Sequence, residues 1–339
     1  MVRIRIVPAR ELGIMKTNLA PLRATGVGVF LRRRLLGAAM TLLVSTFLVF
    51  SSLYLAGDPL RSLSRGRTLT PEMELALREQ YHLDDPFMTQ YFRWLGDLLQ
   101  GNLGQSLFYD DSVTNLIAQR LPITFQLAAY AGVLVVVGGV GLGILAGLRR
   151  GLADRVIVTG TTVFMATPTF VSSIALLAVF SVWLGWFPTR GAGEGFLNTI
   201  WHLTLPALAL ALASLAVVSR ITRASVRTEL ASEHVQTAES RGIPYGKTVR
   251  RHVVRNAMIP ISTVVGISFA SLVVLTAIVE QAFGINGLGN ALVQAASYND
   301  FPVVQGIAII YVVIFVLINN VVDLSYGFLD PRVRLGGSK

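Results

Sequence analysis

The sequence predicts an all-α protein that crosses a membrane six times, with a structured segment after the first crossing. Three observations carry this. The 339 residues are 53% hydrophobic and only 14% charged, where a soluble domain carries about 25% charge. The apolar residues fall in runs at about 35–56, 123–148, 156–186, 203–219, 258–279 and 303–328. All but the fourth exceed the roughly 20 residues a bilayer core requires, and they are apolar all round rather than on one face. The charges cluster at the ends of these runs.

Orientation follows from the basic residues. With a cytoplasmic N-terminus, 22 of the 29 Lys and Arg fall in the inner segments 1–34, 149–155, 220–258 and 329–339. Six of the other seven lie in 57–122, a segment long enough for its charges to be discounted. Both termini are therefore expected in the cytoplasm. The first thirty residues are basic and lack the apolar core of a removable leader. Arg32, Arg33 and Arg34 run straight into the first span, as in a signal anchor.

Composition excludes several chemistries. There is no cysteine, hence no disulfide, thiolate metal site or cysteine nucleophile. The net charge of +10 sits at span ends, which argues against nucleic acid as a partner. His82, His202, His234 and His252 are scattered without paired ligand spacing, so no metal site is expected. The serines of the spans have no nearby histidine in sequence, so an intramembrane hydrolase is not supported.

The segment 57–122 is too long for a simple loop. Thr70 caps a predicted helix from Pro71 to Arg78 with acids in its first turn. Residues 90–99 form a second, amphipathic helix, and its Tyr91, Phe92 and Trp94 suit a membrane interface. In the second span Gly139, Gly143 and Gly147 recur at i+4, a signal for close helix approach. The third span carries Thr161, Thr162, Thr167, Pro168 and Ser172. Pro168 should kink it, and the hydroxyls either line a pathway or bond between helices. Asp323, near Asn319 and Asn320, is expected to pair with an Arg at the cytoplasmic end of the last span.

The stretch 220–258 separates the fourth and fifth spans. From Arg223 to Arg255 it holds seven Lys/Arg and three Glu. Burying ten charges at about 2.5 kcal/mol each would cost about 25 kcal/mol, so the segment lies in water. A helix from Glu233 to Arg241, a corner at Gly242-Ile243-Pro244 and a second helix from Tyr245 to Asn256 are predicted. Tyr245, Val249 and Val253 make an apolar stripe flanked by Lys247, Arg250 and Arg251, suited to a groove on a soluble partner. Gly242 to Thr248 ends like a phosphate-binding loop. Its glycines are one residue too close, and Pro244 lacks an amide the cradle would use.

Several motifs, in order and spacing, resemble one family. They are Gly57-Asp58-Pro59, Leu83-Asp84-Asp85-Pro86, Gly101-Asn102-Leu103-Gly104, Ala166-Thr167-Pro168-Thr169-Phe170, Leu205-Pro206-Ala207 and Arg220-Ile221-Thr222-Arg223. Glu280 with Gly287-Leu288-Gly289, Asp300-Phe301-Pro302 and Val322-Asp323-Leu324 complete the set. The chain resembles the permease subunits of bacterial ABC importers, in the branch handling dipeptides, oligopeptides and nickel complexes. The resemblance covers about residues 30–335 and implies the six-helix type I importer permease fold. Gln236-Thr237-Ala238 with Gly242 stand where the family has its cytoplasmic coupling motif, normally Glu-Ala-Ala with a Gly. The resemblance thus implies that Gln236, Thr237, Ala238, Gly242, Tyr245, Lys247, Val249 and Arg250 contact an ATPase subunit. It also implies a second permease subunit in a heterodimer, two ATPase subunits that hold the ATP and Mg, and an extracytoplasmic binding protein, all in the bacterial inner membrane. No cofactor is expected on this chain, and no enzyme activity. Nickel complexes or glutathione are the alternative substrates, and an ion-coupled carrier is the alternative mechanism.

Overall fold

The computed structural model describes residues 23–56, 70–80, 82–106 and 108–329. The first 22 residues, the Gly57-Asp58-Pro59 motif, the C-terminal tail and the side chain of Asp323 lie outside the described residues. The elements in chain order are α1 (Arg23–Ala56), α2 (Pro71–Gln80), α3 (Phe87–Leu99), α4 (Val113–Leu148), α5 (Leu152–Ala166), α6 (Thr169–Trp183) and α7 (Phe196–Leu230), then α8 (Glu233–Ser240), α9 (Tyr245–Phe283), α10 (Leu288–Ser297) and α11 (Phe301–Leu329). Five of these helices are long and apolar enough to cross a bilayer, namely α1, α4, α7, α9 and α11; with the bent pair α5–α6 counted as one broken span the number is six. The architecture is all-α, as expected.

Helix ends differ from the apolar runs for local reasons. The helix expected from 123 begins at Val113, because Ser112 accepts a hydrogen bond from the Asn115 amide at 3.1 Å and caps it there. Pro122 lies inside α4 rather than before it. The fourth helix extends past its apolar run at both ends, to Phe196 and Leu230. Tyr245 to Asn256 is not a separate helix. It runs into the fifth span as one helix of 39 residues.

The third apolar run was expected to be one kinked span. The structure breaks it instead, turning by 107° between α5 and α6. Thr167 is extended, as the residue before a proline prefers, and Pro168 opens α6 without an amide to donate. The Thr167 hydroxyl and amide both close on the Val163 carbonyl, at 2.8 and 3.1 Å, which satisfies the end of α5.

α7 is the central element, in contact with α4, α5, α6 and α9. In a bilayer, helices gain little from leaving the solvent, so close packing decides association. The glycine stripe of α4 provides it. A Cβ on Gly139 would sit 3.0 Å from the Leu215 carbonyl, one on Gly143 2.6 Å from that of Ser219, and one on Gly147 2.7 Å from Val226 Cγ1. A π-helical turn at Val135–Val140 lies in the same stretch of α4. Leu127, Ala131 and Val135 of α4 join Leu210 of α7 and Leu272 and Phe283 of α9 in the largest core.

A second core joins Val113, Leu116 and Ile117 of α4 to Leu288 and Ala291 of α10 and Val303 and Ile307 of α11. Beside it, Asp300 accepts from the Ser106 hydroxyl at 2.6 Å and the Phe108 amide at 3.1 Å, tying the segment before α4 to the α10–α11 turn. In the long segment after α1, α3 packs on α1 through Phe87, Tyr91 and Trp94, which face Phe47 and Phe50. Tyr91 and Trp94 are therefore occupied by α1, while Phe92 is exposed.

Overpacking at a helix crossing costs about 1–3 kcal/mol. Gly143→Val should lower the melting temperature of the detergent-solubilised complex. Gly141→Ala, whose added Cβ meets open space, should leave it unchanged. Thermal unfolding followed by tryptophan fluorescence makes the comparison.

Candidate functional site

The connection from α7 to α9 is the candidate site. Glu233 places a negative charge at the N-terminus of α8, where the helix dipole favours it. α8 ends in a Schellman motif. The Ile243 amide donates to the Ala238 carbonyl at 3.2 Å and the Gly242 amide to that of Glu239 at 2.9 Å. Gly242 stands in the left-handed region at φ +73°, a conformation that glycine adopts freely. Pro244 then starts α9, and its carbonyl takes the amides of Lys247 and Thr248. Those amides are committed to the helix and do not form a cradle for an anion.

The base of this unit is apolar. Val235 of α8, Val226 of α7, and Val253, Ala257 and Ile261 of α9 form one buried cluster, with Leu148 and Ile144 of α4 packed on it. Of the eight residues singled out, Gln236, Thr237, Gly242, Tyr245, Lys247 and Arg250 are exposed, Val249 is half-buried and Ala238 is buried. The proposed outward stripe Tyr245–Val249–Val253 is thus corrected. Val253 is fully buried against the protein's own helices, and only Tyr245 projects. The cause is continuity. α9 enters the core as one helix, with a π-helical turn at Val249–Val254 that changes the phase of the following residues.

The exposed face is basic. Gly246, Lys247, Arg250, Arg251 and Arg255 line one depression beside Tyr245. On its other side a groove is lined by Tyr245, Arg150, Arg227, Gly147 and Leu230. Among the described residues, none of Lys247, Arg250 and Arg251 takes part in an ion pair. Their charge is available to a partner.

Polar brackets tie this unit to the spans. Asp154, in the first turn of α5, receives Arg223 through Nε at 2.6 Å and Nη2 at 2.9 Å, and Arg227 through Nη2 at 2.8 Å. Arg227 also donates to the Ala146 carbonyl at the end of α4. This fork is the strong bidentate form of ion pair. His234 of α8 accepts from Asn256 of α9 at 3.1 Å and lies 3.4 Å from Glu229 of α7. The sequence reading missed the bracket, although Arg223 belonged to a quoted motif. The acid in the first turn of α5, beside Arg149 and Arg150, was the available signal.

The candidate pathway residues differ in exposure. Thr161 and Ser172 are buried, while Thr162 and Pro168 are exposed on either side of the 107° turn. The hydroxyls of Thr161, Thr162 and Thr167 each bond to carbonyls of their own helix. At the far end of α9, Glu280 is fully buried. It accepts from the Thr124 hydroxyl at 2.7 Å and the Asn290 amide at 2.9 Å, and the Leu288 amide donates to Thr124 Oγ1 at 2.8 Å. Any side chain at Gly287 would collide with the Glu280 carboxylate. Glu280 thus fastens α10 to α4 and α9, a role the motif alone did not disclose. Nearby, burial pushes the Tyr109 phenol up, opposed by the Arg120 guanidinium 4.6 Å from its ring centre.

Residues 139–335 match the family model described as the binding-protein-dependent transport system inner membrane component, and residues 28–128 match that of its N-terminal region. The chain belongs to this family. It is a multi-pass inner-membrane protein and a permease subunit of an ABC importer. A probable peptide ABC transporter permease protein of Sinorhizobium fredii is 34% identical, over 91% of this chain and 100% of its own length. The glutathione transport system permease protein of Pectobacterium atrosepticum is 36% identical over 89% of this chain and 97% of its own. The dipeptide transport system permease protein of Bacillus subtilis is 32% identical over 90% and 98%. Among solved structures, an inward-facing methionine ABC transporter superposes with a TM-score of 0.53 at 17% identity, over 63% of this chain and 96% of that one. An amino acid ABC transporter gives 0.51 at 22% identity, over 63% and 94%. At that identity the likeness is one of fold.

The Asp154 bracket should prove cooperative. Asp154→Asn takes the negative charge and one of the two acceptor oxygens from two guanidinium groups and should lower the melting temperature of the permease complex. Arg223→Ala should then cost less in the Asp154→Asn background than in the parent, a coupling that a double-mutant cycle reads directly.

Proposed function

We propose that this permease passes peptides released by an extracytoplasmic binding protein, along a path shared with a second, homologous permease subunit. Two ATPase subunits, which carry the ATP and Mg, drive it through α8 and the first turns of α9. The permeases named above for peptide, dipeptide and glutathione transport support this substrate class. Arg32, Arg33 and Arg34 stand where the apolar stretch of α1 begins and the connection from α7 to α9 is charged, which supports cytoplasmic termini and a cytoplasmic site.

One observation carries the mechanism. The exposed corner at Gly242 presents Tyr245, Lys247 and Arg250, while its base is packed and bonded to α7, α9 and α4. A displacement applied at the corner therefore moves three spans together. The basic rim suits an acidic surface and guides encounter with it.

Two outcomes test this reading. Gly242→Tyr forces the left-handed conformation on a bulky residue, at about 1–2 kcal/mol, and projects a ring from the contact. Transport and co-purification of the ATPase subunits should fall, and ATP turnover should lose its response to loaded binding protein. Gly242→Asn, which tolerates that conformation, should retain much of both. A Gly242→Tyr complex that assembles and couples like the parent would exclude the corner as the contact.

Topology is tested by thiol labelling, which the absence of native cysteine makes clean. Asn198→Cys, at the start of α7, should react with a membrane-impermeant reagent in intact cells. Lys247→Cys should react only after the membrane is opened. Lys247 is the better probe there, because its neighbour Thr248 is fully buried.

A further inference from the structure

α3 carries two apolar faces, and among the described residues protein covers only one. Phe87, Tyr91 and Trp94 turn to α1, and the Tyr91 hydroxyl lies 3.0 Å from that of Thr46. Met88, Phe92, Leu95 and Leu99 follow at i, i+4, i+7 and i+11, which aligns them on a second face. Met88 is 52%, Phe92 64% and Leu99 81% exposed. Thr89, Arg93 and Asp97 occupy the remaining arc and are also exposed. Arg93 is held by Asp85 at 2.8 Å, so its charge stays on the polar side.

The depth of this helix is set by its bond to α1. The apolar stretch of α1 runs from Arg34 to Ser52. Thr46 precedes Ser52 by six residues, about 9 Å along a helix axis. Helices that lie in a membrane interface sink their apolar face about 5–10 Å into the boundary between headgroups and acyl chains. Tyr91 is therefore held at the level where such a helix rests. On α1 itself Leu43, Val44 and Leu48 are exposed over the same stretch, and on a membrane-crossing helix such a face meets acyl chains.

We propose that α3 lies in the membrane interface of the leaflet remote from Arg34. Met88, Phe92 and Leu99 are seated among acyl chains, and Arg93 and Asp97 face headgroups and water. The occupant of the stripe is lipid, not the second permease or the binding protein. The long segment after α1 is thereby moored to the bilayer at one edge, while Ser106 and Asp300 moor it to α11 at the other.

The experiment places a nitroxide at single cysteines, Met88→Cys, Phe92→Cys, Leu99→Cys and Asp97→Cys in turn. The complete importer, with cysteine-free partner subunits, is reconstituted in phosphatidylethanolamine–phosphatidylglycerol vesicles. Collision with oxygen, which concentrates in the acyl region, is compared with collision with a water-soluble nickel chelate. Oxygen should dominate several-fold at 88, 92 and 99, and the chelate should dominate at 97. Chelate dominance at all four positions would put α3 in water and overturn the proposal. Labels at 88, 92 and 99 that neither reagent reaches would assign the stripe to a protein partner and overturn it equally. The pattern is read from three positions on one stripe, so one variant that fails to assemble leaves the outcome readable.

Discussion

Gly143 has no room for a side chain. The backbone of α7 occupies the space where a Cβ would be, with the Ser219 carbonyl 2.6 Å away. From that approach the rest of the molecule can be traced. With Gly139 and Gly147 it sets α7 against α4, which brings Val226 beside the end of α4. Val226 in turn seats Val235 and Val253, and so fixes α8 and the start of α9. Within the bilayer there is no solvent to drive these helices together. The contact rests on van der Waals packing and on the absence of intervening atoms.

The polar groups divide along the same line. Where α4, α5 and α7 leave the apolar region, Asp154, Arg223 and Arg227 bind one another and the Ala146 carbonyl. Farther out, Lys247, Arg250 and Arg251 make no ion pair among the described residues. Paired charges hold the unit together, and the unpaired ones stand at its exposed surface.

The opposite end is built differently. Glu280, Thr124 and Asn290 form a buried knot with no water-facing member. Each of its hydrogen bonds replaces one that the bilayer or the core could not supply. The carboxylate also excludes any side chain from Gly287, so the start of α10 lies close against α9. α9 therefore carries an exposed basic surface at its first turns and a buried, hydrogen-bonded joint at its last.

The sequence by itself determined the helical class, the multi-span character and the sites of close approach. These follow from properties that need no partner: the length of an apolar run, the spacing of Gly139, Gly143 and Gly147, and the cost of burying ten charges between spans. The corner at Gly242 was legible for the same reason, since a Gly followed by a Pro ends one helix and starts another. Tertiary structure alone decided the rest. Pro168 announces a disturbance, but its 107° angle depends on how α6 packs against α7 and α9. The side of α9 that carries Val249 and Val253 turned inward, because a π-helical turn shifts its phase and Val226 and Val235 were waiting to receive Val253. Asp154 meets Arg223 across 69 positions of sequence, and Thr124 meets Glu280 across 156. Periodicity reports which residues share a face of one helix. It carries no information about which faces of two distant helices meet, and that is set by the packing of the whole.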